Sequence, residues 1–265
     1  MARIALPALL VAVACGPASA LLIRPDRDDA EYLEMATRYP ATVRLESPAG
    51  GGVLVSPRWV LTAASVVAPL KDAPGRIRPV VGGKARDVVA VYIHPDWKPG
   101  GAADLALLHL AIPVEEVEPA NVYRGTGEAG LAVRLVGHGA SGRIGERPSA
   151  PPGDGRPRAA VNTVDGVEPL MLALRIKAAD DASDLQGAFA AGDRGGPAFL
   201  EIDGEILVAG IGRATADDNA DGIPGNVGDR DLFVRVSALR DWINQATAQA
   251  AAAEAAAAVG DTERR

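Results

Sequence analysis

Gly192-Asp193-Arg194-Gly195-Gly196-Pro197 is a glycine-rich loop that leads into a strand-like run, Ala198 to Ile202. Arg194 stands at its centre. A guanidinium is permanently protonated and offers only N–H donors, so it cannot attack a carbonyl carbon. On either side the chain has a β texture. Thr42-Val43-Arg44-Leu45-Glu46 alternates, Gly51-Gly52 leads into Val53-Leu54-Val55, and the turn Ser56-Pro57-Arg58 precedes Trp59-Val60-Leu61-Thr62. Strand-like runs continue over Asp87 to Ile93, Leu105 to Leu110, Leu131 to Val136, Leu172 to Ile176, Ile206 to Ile211 and Leu232 to Val236. Many short strands separated by turn signals predict an all-β sandwich or barrel.

The chain has 265 residues, enough for one large all-β domain or two ordinary ones. Hydrophobic residues make up 48% and charged residues 23%, a globular composition. A net charge of −7 and a pI near 5.1 argue against a nucleic-acid partner or an anionic membrane surface. Arg3, the apolar run Ile4 to Ala14 and the small residues Ala18-Ser19-Ala20 read as an export signal over residues 1–20, too short to span a bilayer. Cleavage after Ala20 would start the chain at Leu21, in a secreted or periplasmic protein. Cys15, the single cysteine, lies inside that segment, which leaves residues 21–265 without a thiol. It also resembles a bacterial lipoprotein box, with Ala12 where a larger aliphatic is usual.

Residues 26–38 place Tyr32, Met35 and Ala36 at helical spacing and predict a short N-terminal helix. Ser141 to Arg158, rich in Gly, Pro and Arg, reads as a mobile loop or inter-barrel segment. Ser237 is the expected N-cap of a C-terminal helix, Ala238 to Ala248, carrying Leu239, Trp242 and Ile243. The alanine-rich tail, 247–265, extends that helix or frays.

Three motifs in order carry a resemblance. Trp59-Val60-Leu61-Thr62-Ala63-Ala64-Ser65 resembles the segment that bears the catalytic histidine of trypsin-like serine proteases. His94-Pro95-Asp96-Trp97 followed by Asp104-Leu105-Ala106-Leu107-Leu108 resembles the segment with their catalytic aspartate, and Gly192 to Pro197 resembles their nucleophile loop. With Val208 to Ile211 and Trp242-Ile243 following, the resemblance covers roughly residues 41–246. It implies two six-stranded antiparallel β-barrels packed face to face, a chymotrypsin-like fold over residues 21–246 with a short N-terminal and a C-terminal helix. The active cleft would lie between the barrels.

The resemblance implies a triad in which histidine takes the serine proton, aspartate orients the histidine, and two backbone N–H groups hold the oxyanion. Carried over residue by residue, Asp104 is retained, Ser65 stands for the histidine and Arg194 for the serine. A serine hydroxyl is no general base near neutral pH. His94, His109 and His138 read as structural residues. The expected product is a pseudoprotease that binds a protein, a peptide or an inhibitor. The alternative is an active serine-type endopeptidase or other hydrolase with non-standard residues.

Asp104, without its histidine, either pairs with Arg194 while Ser65 adds a hydroxyl bond, or takes backbone N–H donors while Arg194 faces solvent. Gly192, Asp193 and Arg194 would form the oxyanion loop, suited with the Arg194 cation to a carboxylate or a peptide C-terminus. By the resemblance, Asp193 would pair with an amine freed at Leu21, Ala188 would form an apolar pocket base, and Arg213 would line that pocket. Asp217, Asn219 and Asp221 alternate before Gly222 as in calcium loops, yet Gly228 holds the twelfth position and the run also reads as a plain turn. No cofactor is expected apart from that weak calcium candidate, and the chain is expected to be a monomer.

Overall fold

The computed structural model describes residues 21–146 and 154–262. The expected export signal at residues 1–20, with Cys15, and the middle of the Ser141 to Arg158 segment lie outside the described residues. In chain order the elements begin with β1 (Leu21–Ile23), α1 (Asp29–Ala36), β2 (Thr42–Glu46), β3 (Ala49–Ser56), β4 (Trp59–Thr62) and α2 (Ala64–Val67). There follow β5 (Pro79–Val81), β6 (Lys84–Ala85), β7 (Val88–Ile93), β8 (Ala106–Leu110), β9 (Asn121–Val122), β10 (Ala132–Gly137) and β11 (Ser141–Arg143). The chain closes with β12 (Arg158–Thr163), β13 (Gly166–Val167), β14 (Met171–Arg175), β15 (Gly187–Ala188), β16 (Pro197–Ile202), β17 (Glu205–Ala216), β18 (Arg230–Arg235) and α3 (Val236–Thr262).

Two curled sheets, each a half-barrel, carry the fold. The first runs β6-β5-β2-β3-β4-β8-β7, and the second runs β12-β10-β16-β17-β18-β14-β13 with β9 parallel to β17. The expected two-barrel, chymotrypsin-like architecture is therefore present, with more strands per sheet because short edge pairs join each path. A third, small sheet, β11-β1-β15, binds the chain at Leu21 into the second half. The Ser141 to Arg158 segment is thus not all loop: its first residues pair with β1 and Arg158 opens β12.

Val60, Leu61, Leu107 and Leu108 are fully buried on the paired strands β4 and β8. Burying such a side chain contributes about 1.5–3 kcal/mol. Their cluster runs without a break into Val136, Phe199, Val208 and Ile211 of the second sheet, so one core joins the two halves. That junction demands glycine in β3. A Cβ on Gly51 would stand 2.6 Å from the Gly196 Cα, and the Gly51 N–H donates to the Arg194 carbonyl at 2.8 Å.

The N-terminal helix begins later than expected, at Asp29, where Asp28 N–H donates to Glu31 Oε2. Arg158, 2% exposed, clamps its first turn through Asp29 at 2.5 and 2.6 Å, and also holds Asp154. At the C-terminus Val236, Leu239, Ile243, Ala246 and Ala250 are buried at helical spacing. The helix starts at Val236, so Ser237 is inside its first turn and not its cap; the hydroxyl donates to Glu128 Oε1 at 2.6 Å instead. Alanine's helix propensity carries the tail on to Thr262. Among the described residues no helix is long and apolar enough to cross a membrane.

Candidate active site

Ser65 is the second residue of α2, one residue beyond the strand–helix junction at Ala63-Ala64. Asp104 lies two residues before β8, in the connection from β7, and is 4% exposed. The two meet directly. The Ser65 N–H donates to Asp104 Oδ1 at 2.6 Å, and the Ser65 hydroxyl donates to Oδ2 at 2.7 Å. One neutral residue thus takes both oxygens of the carboxylate.

Arg194 does not join them. Its side chain is exposed and, among the described residues, makes no ion pair, so it does not reach across to Asp104. The cause is visible in the bonds: Ser65 has already satisfied Asp104, so nothing draws the long cation away from water. Of the two arrangements open from the sequence, the solvent-facing arginine is the one formed, with Ser65 supplying a hydroxyl as well as an N–H.

The loop around Arg194 keeps its shape through its neighbours. Gly192 has φ +95° and Gly195 φ +89°, a region costly to other residues. Asp193 is fully buried and accepts from Gly139 N–H at 2.7 Å, Ala190 N–H at 2.9 Å and Leu21 N–H at 3.3 Å. Burial pushes its carboxyl up to about 6 against those donors. The N–H of Gly195 reaches the Gly212 carbonyl, and the N–H of Gly212 returns to that of Gly196, both at 2.8 Å. The N–H groups of Gly192 and Arg194 find no acceptor in the described chain.

A cavity of about 630 Å³ opens in front of this loop, between the two halves. Ser65, Gly192, Arg194 and Arg213 supply its polar lining together with Thr215, and Leu22, Val66, Phe189 and Pro224 are among its apolar walls. Ala188, the expected pocket base, is not part of it. It pairs in β15 with Leu22 and is fully buried with Leu22 and Ile176; the wall belongs to Phe189, one residue on. Arg213 lines the cavity. Its Nε donates to the Gly101 carbonyl at 3.0 Å and its Nη2 to the Gly100 carbonyl, so it ties the second sheet to the β7–β8 connection.

Asp231 was not singled out from the sequence. Fully buried on β18, it accepts from the Phe189 N–H at 2.8 Å and the Thr215 hydroxyl at 2.6 Å, fastening two walls of the cavity together. Burial, aided by the nearby Asp193 and Asp229, pushes its carboxyl up to about 7. A charged residue two positions before core Phe233 was the available signal, because both point to the same face of a strand.

None of the three histidines lines the cavity. His109 stacks on Trp59 at 4.4 Å, His94 tilts against Trp242 at 5.0 Å, and burial holds His138 down to about 4. In the loop from Asp217 to Gly222 the oxygens serve the turn itself. Asp217 accepts from the N–H groups of Asp221 and Gly222, Asn219 from Asp221 N–H, and Asp221 from Ile223 N–H.

A family model for trypsin matches residues 30–243, and the chain belongs to the trypsin family. No curated protein matches it. The match spans the Ser65–Asp104 pair and the Arg194 loop as well as both half-barrels.

Proposed function

We propose that this is an exported trypsin-family protein that binds through its cleft and does not turn peptides over. The Ser65–Asp104 pair carries the reading. Peptide hydrolysis in this family needs a group that accepts the nucleophile's proton and returns it to the leaving amine. At this site the hydroxyl donates to the carboxylate, no imidazole faces the cavity, and the nucleophile position holds a cation. Losing triad members leaves only about 10³ to 10⁴ of acceleration over water, from binding and the oxyanion donors. The reading takes residues 1–20 as an export leader, needs no cofactor, and treats the protein as a monomeric binding or regulatory module with a protein, peptide or peptide-like ligand.

Initial rates on a broad panel of fluorogenic peptides test it. The proposal expects rates at the buffer background for every peptide. A hydrolysed peptide whose rate scales with protein concentration and survives Arg194→Ala would instead support a hydrolase with unusual catalytic residues.

A further inference from the structure

We propose that the cavity is a receptor for a carboxylate carried on an apolar body, with Arg194 as its cation. The proposal rests on the binding reading above and names the ligand class. Among the described residues two guanidinium groups, Arg194 and Arg213, line the cavity and no carboxylate does, in a chain whose net charge is −7. A cleft of one sign between low-dielectric walls concentrates the opposite ion. Arg213 is tethered by the Gly100 and Gly101 carbonyls, whereas Arg194 has no partner among the described residues.

The donors match a carboxylate in number and kind. The N–H groups of Gly192 and Arg194 lack acceptors among the described residues, and the Arg194 guanidinium adds a fork of N–H donors. A carboxylate is an acceptor alone, with about four lone-pair sites. A neutral amide would turn N–H donors toward a lining that has donors already, which discriminates against it. The buried carboxylates of Asp104, Asp193 and Asp231 have donors of their own: Asp104 takes Ser65, Asp193 three backbone N–H groups, and Asp231 Phe189 and Thr215.

The rest of the cavity sets the body of the ligand. Leu22, Val66, Phe189, Ala190, Ala214 and Pro224 present apolar surface, and about 630 Å³ suits a ligand the size of one to a few residues. A peptide C-terminus and a small aliphatic acid share this chemistry.

Calorimetry on the full chain at low salt tests the proposal with four probes: N-acetyl-leucine, its amide, octanoate and inorganic phosphate. N-acetyl-leucine should bind at least about tenfold more tightly than its amide. Arg194→Ala should remove that preference without moving the melting temperature, and Arg194→Lys should keep part of it. Octanoate binding as tightly as N-acetyl-leucine assigns the site to aliphatic acids; weaker octanoate binding assigns it to peptide termini. Acid and amide binding alike, phosphate binding as tightly as the acid, no detectable binding, or an unchanged preference in Arg194→Ala would overturn the proposal. A fluorophosphonate probe on the same preparation separates the two readings. Labelling defeats the binding reading, whereas an unlabelled protein that ignores carboxylates defeats this proposal alone.

Discussion

Ser65 meets both oxygens of Asp104, its N–H at 2.6 Å from Oδ1 and its hydroxyl at 2.7 Å from Oδ2. The contact takes the place that an imidazole would need. Removing the hydroxyl strands a carboxylate oxygen in a site that is 4% exposed. Ser65→Ala should cost about 1–3 kcal/mol in urea unfolding followed by tryptophan fluorescence. Arg194→Ala should add independently to Asp104→Asn, because the two side chains share no bond. A coupling between them above about 0.5 kcal/mol would mean that Arg194 reaches Asp104 in solution.

Asp193 and Asp231 give the fold an unusual response to pH. Their carboxyls, pushed up to about 6 and about 7, hold protons that an unfolded chain, near 3.8, has already released. The folded state binds more protons between about pH 4 and pH 7, so stability from these groups falls as pH rises through that window. His138, held down to about 4 by burial, works in the opposite sense. The readout is therefore the difference between the protein and Asp231→Asn. The protein should lose about 3 kcal/mol relative to the variant between pH 4.5 and pH 7.5, by denaturant melts at each pH. A constant difference would show that Asp231 is ionised throughout.

Leu21 decides how Asp193 behaves. Its backbone N–H already lies 3.3 Å from Asp193 Oδ2, with the side chain fully buried. In a chain that begins at Leu21 the same nitrogen is an ammonium, which would hold Asp193 ionised. Such a chain should melt higher at pH 7 than one N-acetylated at Leu21, and the gap should close as pH falls below 4. Equal melting temperatures at pH 7 would show that the terminus does not stay in its pocket.

Arg213 ties the two halves across the cavity through the carbonyls of Gly100 and Gly101. Arg213→Ala should leave global stability within about 1 kcal/mol, because the residue is not part of the core. Amide exchange should rise in residues 98–104 and stay unchanged in β8. Unchanged exchange in both would remove the tether from the account.

Much of this was legible in the sequence. Alternation and turn signals placed β2 and β4 to the residue, and the three ordered motifs gave the two-barrel fold. They also brought Ser65, Asp104 and Arg194 to one place. The partners were less legible, because a motif fixes backbone and leaves side-chain choice to local bonds. Ser65 satisfied Asp104 and released Arg194. Spacing from Arg194 points to Ala188, yet Ala188 is fully buried with Leu22 and Ile176, and Phe189 stands in the cavity wall. Ser237 looked like a cap until the buried, Arg235-paired Glu128 drew its hydroxyl away. Asp231 falls just before the predicted strand Leu232 to Val236, and no sequence pattern shows that Thr215 and Phe189 will meet it.

The central claim is that the family's fold stands here without its reaction. Side-by-side labelling with a fluorophosphonate probe tests it most directly, using the protein and the Ser65→His, Arg194→Ser double variant. The account predicts no label on the protein and covalent label on the double variant, since Asp104, the loop and both free N–H groups are already in place. Label on the unmodified protein, displaced by an active-site inhibitor, would contradict it.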